Sequence, residues 1–185
     1  MHIAAAQLDV RRIYRGGFVG QLVSGGIWLL AAAVATWISP TASMAALFLG
    51  GTLIFPITTV VLSAAGGPAG LPKGHPFAAL AMQIAFTVPL GMIVAIVVGL
   101  TEPALFFPAS MIVVGAHYLP FVFLYGMRLF AVLAGVLVIG GVACLSVWPA
   151  GAAASGWFTG VVLVAFAFAL RASAARLNPN APTRG

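Results

Sequence analysis

Apolar residues run along this chain in blocks separated by short stretches of Pro, Gly and polar residues. A helix that crosses the hydrocarbon of a bilayer needs about 20 mostly apolar residues. Six blocks reach that length: residues 17–38, 42–65, 77–100, 104–125, 128–148 and 156–175. The pattern predicts an all-α, polytopic membrane protein whose residues 17–176 form a six-helix transmembrane bundle. Residues 1–16 follow a different pattern. Wound as a helix, Ile3, Ala6, Val10, Ile13 and Tyr14 share one face, and Asp9, Arg11, Arg12 and Arg15 the other, with Leu8 the exception. This predicts an N-terminal amphipathic helix lying in the membrane interface, with Arg11, Arg12 and Arg15 against anionic headgroups of the lipid bilayer. Such a helix can gate, sense lipid or simply anchor the topology. The polar, Pro-bearing residues 177–185 predict a disordered tail.

Composition agrees with the pattern. The chain is 63% hydrophobic and 5% charged, where soluble domains are about 25% charged. A soluble enzyme, a disordered chain, a disulfide scaffold and a coiled coil are excluded. Cys144 is the only cysteine, so no internal disulfide can form. The net charge of +6 does not point to nucleic acid, because basic nucleic-acid domains cluster their Lys and Arg on a soluble face. Here the basic residues stand at the ends of apolar blocks. Arg11, Arg12 and Arg15 ahead of the first span imitate a signal peptide or a twin-arginine signal. The apolar run after them is longer than a signal core of about 7–15 residues, and five more spans follow, so the N-terminus is expected to be retained.

Charge also predicts orientation. Arg11, Arg12, Arg15, Lys73, Arg128, Arg171, Arg176 and Arg184 all fall on one side of the six spans, and Glu102 falls on the other. Lys and Arg accumulate on the cytoplasmic side, so both termini are expected in the cytoplasm and the protein in the cytoplasmic (inner) membrane. Trp37 and Trp148 then fall at the outer interface, where aromatic residues anchor spans.

Three spans carry an interior proline, Pro56, Pro89 and Pro120. Each removes a backbone donor and leaves the carbonyl four residues earlier, on Thr52, Ala85 and Ala116, without its helical partner. Kinks are expected there, and the freed carbonyls need other partners in hydrocarbon. A re-entrant third span turning at Pro89 is the alternative to a kinked one. Small residues repeat every four positions at Gly91, Ala95 and Gly99, at Gly156 and Gly160, and at Ala131 and Gly135. Such ridges let helices approach closely, either within the bundle or between copies in a homo-oligomer.

His117 is the only ionisable side chain near the middle of a span. Ionisable groups there usually face a cavity or a partner, although a neutral imidazole is also satisfied by one backbone carbonyl. We expect its ring to face the bundle interior, beside Tyr118 or a polar residue of the second or third span. Ser110, His117 and Arg128 share one stripe, and Tyr118 and Tyr125 the adjacent one. With Thr52, Gln21 and Gln83 they are the candidate lining of a pocket, and Gln21 and Gln83 are also suited to bonding helices together. Glu102 before Pro103 reads as a helix start.

Missing chemistry narrows the field. No span holds an acid, so a carboxylate proton relay or Na+ site is not expected. His2, His75, His117 and Cys144 lie at different depths and do not make a zinc set. No Ser-His-acid set is available at one depth, and the only Lys, Lys73, lies in a loop. The inner loop GGPAGLPKGHP lacks the phosphate-loop pattern. No catalytic residue, metal or cofactor is expected, although His117 could serve as a lone axial ligand.

The run GAHYLPFVFLY (Gly115 to Tyr125), together with IFP (Ile54 to Pro56), resembles a family of small bacterial multi-pass membrane proteins of unknown function that keep the His, Pro and final Tyr, here His117, Pro120 and Tyr125. The likeness covers most of the chain. It implies a six-helix protein and carries no activity, substrate or cofactor. Three classes of function follow, in this order: a small-solute or ion channel or transporter with a pocket around His117, a structural or accessory subunit of a membrane complex, and a membrane enzyme or redox protein.

Overall fold

The computed structural model describes residues 2–146 and 153–177. These form seven α-helices: α1 (Ile3–Ile13), α2 (Phe18–Trp37), α3 (Pro40–Ala64), α4 (Ala78–Thr101), α5 (Phe106–Tyr125), α6 (Leu129–Ser146) and α7 (Ala154–Leu177). Helices α2 to α7 are each long and apolar enough to cross a membrane. Their number is the six that the sequence predicts. Trp148 and the residues after Leu177 lie outside the described residues.

The helix ends follow local chemistry. Ser39 opens α3 by accepting a hydrogen bond from the Ala42 amide at 3.0 Å, with Pro40 at the first helical position, where no amide donor is needed. Glu102 is extended and leads through a short 3-10 turn (Pro103–Leu105) into α5, at the position where the sequence predicts a start. Gly126, at φ 62°, closes α5 in the left-handed conformation that glycine adopts without strain. Helices α3, α4 and α5 continue unbroken through Pro56, Pro89 and Pro120. The third apolar block is therefore one continuous helix with no turn at Pro89.

The spans pack as two triplets. Helix α2 lies between α3 and α7, and α5 lies between α4 and α6; contacts of α3 with α4 and of α7 with α6 are sparser. Within a triplet the backbones come close because glycine permits it. A Cβ on Gly25 would meet the Gly160 carbonyl at 3.1 Å, and one on Gly160 the Leu29 amide at 3.0 Å, which brings α2 against α7. Between triplets, large side chains fill the space. Trp28 of α2 and Phe107 of α5 are both buried, with ring centroids 5.9 Å apart. Phe106, Met111, Phe130, Leu133 and Leu137 complete a close-packed centre.

Two of the three small-residue ridges are used inside the bundle. Gly91 faces Val113 of α5, Ala95 is buried, and Gly99 faces Phe106 and Met44. Gly156 faces Phe107 and Ala32. Only the Ala131–Gly135 ridge on α6 looks outward: Ala131 is exposed and Gly135 has open space where a side chain would be.

The bundle has one basic end. Helix α1, the loop between α3 and α4, the α5–α6 turn and the end of α7 meet there, and they carry every Lys and Arg among the described residues. Helix α1 is docked on this end of the protein, with Ala6 1% and Val10 0% exposed. A bend at Gly16 (φ 67°) and Gly17 (φ 87°) turns the chain from α1 into α2. At the opposite end Trp37 is exposed and packs edge-on against Trp157, whose indole donates to Thr36 at 3.1 Å.

Candidate functional site

His117 lies on α5 three residues before Pro120, and Thr87 lies on α4 two residues before Pro89. The two side chains meet across the α4–α5 seam, with Thr87 Oγ1 3.2 Å from His117 Nδ1. Thr87 donates its single hydroxyl proton to the Ile84 carbonyl at 2.7 Å. Toward His117 it can therefore only accept, so Nδ1 carries the imidazole proton and Nε2 keeps its lone pair. The Ile84 carbonyl, which takes the Thr87 proton, is also hydrogen-bonded to the imidazole. His117 is only partly buried, so Nε2 is the acceptor left toward the groove. Phe121 and Tyr118 hold the ring edge-on, at centroid distances of 4.9 and 5.6 Å.

Thr87, Val113, Ala116, His117 and Pro120 line an open groove of about 330 Å³. Pro120 deprives the Ala116 carbonyl of its helical donor, so the groove holds two acceptors of different kinds, an imidazole nitrogen and a backbone oxygen. The partner expected for His117 on the third span is thus present as Thr87. The direction differs from the expectation: the ring borders a groove on the outer side of the α4–α5 pair, whereas the space between the triplets is occupied by other side chains. The reason is angular. Tyr118 takes the inward position on α5, and the next residue back along the helix points about 100° away.

The other candidate residues divide. Tyr118 and Gln21 form a buried bond between the triplets, with the phenol donating to Gln21 Oε1 at 2.6 Å and Ser24 bonded to the same phenol. The Gln21 amide nitrogen, Thr58 Oγ1 and Ser110 Oγ are buried without a partner among the described residues. Tyr125 is buried among Phe121 and Phe130. Gln83 and Thr52 are exposed on the outer surface, with the Thr52 hydroxyl turned back to Leu49 at 2.7 Å. Arg128 is exposed at the basic end. The structure joins Gln21 to Tyr118 and leaves Ser110, Thr52, Gln83, Tyr125 and Arg128 away from the His117 groove. Thr87 is the groove residue that sequence reading passed over, whereas Ala116 was expected beside His117 through its freed carbonyl. The signal of Thr87 was position, just ahead of Pro89.

Two of the N-terminal arginines hold helix ends. Arg11 donates to the Tyr125 carbonyl at 2.6 Å and Gln7 to the Phe123 carbonyl at 2.7 Å, so α1 caps the last turn of α5. Arg15 donates to the Ala65 carbonyl at 3.3 Å, at the end of α3. Cations at helix C-termini meet both the unpaired carbonyls and the negative end of the helix dipole. Asp9 approaches the buried His75 at 3.9 Å, and Tyr14 is bonded to the Leu71 backbone; burial pushes the Tyr14 phenol above its usual value. Arg11 is half-buried, while Arg12 and Arg15 are exposed.

Six apolar helices with one basic end give the chain the helical architecture of a multi-pass membrane protein, with the His117 groove near the middle of two of the helices. The chain belongs to the Family of unknown function (DUF7010), which it matches over residues 3–173. No curated protein and no solved structure matches it. Membership of an uncharacterised family with six apolar helices is what the resemblance of the fourth span implied.

Proposed function

We propose that the protein takes a neutral, hydroxyl-bearing amphiphile sideways from the bilayer into the His117 groove and carries it across the membrane. The observation behind this reading is the bare Nε2 of His117, fixed by Thr87 beside the freed Ala116 carbonyl. Two acceptors suit a ligand that donates hydrogen bonds. A cation would enter a low-dielectric groove with no acid to balance it, which is costly, so a neutral donor fits better. A volume of about 330 Å³ is at the small end of ligand sites, about 300–1,000 Å³. Pro89 and Pro120 supply a bendable point in both walls of the groove. The filled centre between the triplets argues against an open ion channel. An accessory-subunit role finds its support in the outward Ala131–Gly135 ridge of α6, which a partner helix could approach closely.

Nitrogen-15 NMR of histidine-labelled protein in nanodiscs tests the binding step. His117 is expected to show a protonated Nδ1 and a bare Nε2, and the Nε2 resonance should move when a glucosyl diacylglycerol is added to phosphatidylcholine. An Nε2-protonated ring, or a resonance indifferent to the glycolipid, would rule the reading out.

We infer from the single basic end that this end faces the cytoplasm. Reporter fusions at residues 40, 70, 102 and 126 should then alternate outside, inside, outside and inside. Two neighbouring fusions on the same side would contradict both the orientation and the span count.

A further inference from the structure

The two triplets meet along a second edge, where α6 passes α7, and at the basic end this edge is open. Leu129, Ala169, Ala172, Ser173 and Arg176 line a groove there of about 380 Å³. Each wall is pulled away from the other by its own triplet. Leu170 and Ala174 of α7 are buried on the side where Gly16 packs, and Phe130 and Leu133 of α6 are buried toward α5. What α7 turns toward α6 is small: Ala169, Ala172 and Ser173.

Charge distinguishes this groove from an ordinary packing gap. Among the described basic residues, Arg11 and Arg15 hold helix ends and Arg171 lies over the Phe18 ring at 5.0 Å. Arg176 lines the groove mouth, and Arg128, exposed, directly precedes Leu129 on the facing wall. Neither makes an ion pair or a side-chain hydrogen bond among the described residues, and the Ser173 hydroxyl is equally unengaged. The two acids cannot serve them, since Asp9 faces His75 and Glu102 lies at the other end. The mouth is therefore a cationic rim with a hydroxyl and, among the described residues, no counter-ion, above an apolar slot.

We propose that this groove holds one anionic phospholipid, its phosphate on Arg176, Arg128 and Ser173 and an acyl chain along Ala169, Ala172 and Leu129. A guanidinium presents paired N–H donors that match phosphate oxygens, and basic recesses between membrane helices suit such headgroups. The site is separate from the His117 groove and stands or falls without it.

The test uses delipidated protein in detergent, palmitoyl-oleoyl phosphatidylglycerol as the probe and native mass spectrometry as the readout. The wild type should retain one phosphatidylglycerol and little phosphatidylcholine. Arg176→Gln should lower occupancy about fivefold at equal lipid. Ala172→Phe, which fills the slot at an exposed position without changing charge, should do the same. Arg12→Gln, which removes an exposed charge elsewhere, should retain the lipid. Equal loss in Arg12→Gln and Arg176→Gln would mean diffuse attraction to a basic surface and overturn the proposal. So would wild-type retention by Ala172→Phe. If glycerol phosphate displaces the lipid and Ala172→Phe has no effect, the ligand is a free phosphate and the lipid assignment is wrong.

Discussion

Replacing Gly16 with alanine should cost the folded protein about 2–5 kcal/mol, the sum of two separable effects. The first is conformational. Gly16 sits at φ 67°, where an L-residue pays roughly 1–2 kcal/mol because its Cβ crowds the following carbonyl. The second is steric. A Cβ there would overlap the Ala174 side chain and come within 3.3 Å of the Leu170 carbonyl. Backbone on α7 cannot yield as a flexible side chain can, and overpacking of this kind costs about 1–3 kcal/mol. Two controls separate the terms. Gly66 has φ 71° with open space around its Cβ position, so Gly66→Ala should show only the conformational cost. Gly135 is helical and open, so Gly135→Ala should be neutral or slightly stabilising. Denaturation midpoints in detergent would check the order. Gly16→Ala within error of Gly66→Ala would mean that the bend between α1 and α2 is not packed on α7 as described.

That joint shows what the sequence could and could not convey. The spans were legible because length and apolarity alone select a membrane-crossing helix, and the end of each was marked by Pro, Gly or Ser39. The basic end was legible from the placement of the arginines. Their partners were not. An amphipathic wheel puts Arg11 and Arg15 on the polar face and suggests lipid headgroups, but the nearest bare anionic dipoles are the C-termini of α5 and α3, far away in sequence. Spans that are apolar around the whole circumference give no hint of which polar residue faces inward. Gln21 and Gln83 looked alike, yet Gln21 meets Tyr118 across 97 residues, while Gln83 is exposed. The small-residue ridges raised the same ambiguity, and packing resolved two of them inward and one outward.

The His117 groove was half legible. A lone imidazole in a span drew attention by itself, and Pro120 placed a free carbonyl beside it. What sequence could not supply was Thr87, thirty residues away. Most membrane threonines turn their hydroxyl back onto their own helix, as Thr52 and Thr101 do here. Thr87 does this too, and that is the source of its effect, since a spent proton leaves only an acceptor for His117.

Transbilayer movement of a fluorescent glucosyl diacylglycerol in proteoliposomes tests the central claim most directly. Wild-type protein should speed the movement above that of protein-free vesicles. His117→Phe keeps an aromatic ring of similar size and removes the acceptor, so its rate should fall to the protein-free background. Thr87→Val frees the imidazole to carry its proton on either nitrogen and should slow movement about fivefold, the worth of roughly one neutral hydrogen bond. Both variants should keep the wild-type elution profile, because His117 and Thr87 lie outside the close-packed centre. A His117→Phe variant that moves the lipid at the wild-type rate would contradict the account and reduce His117 to a packing residue of the α4–α5 seam.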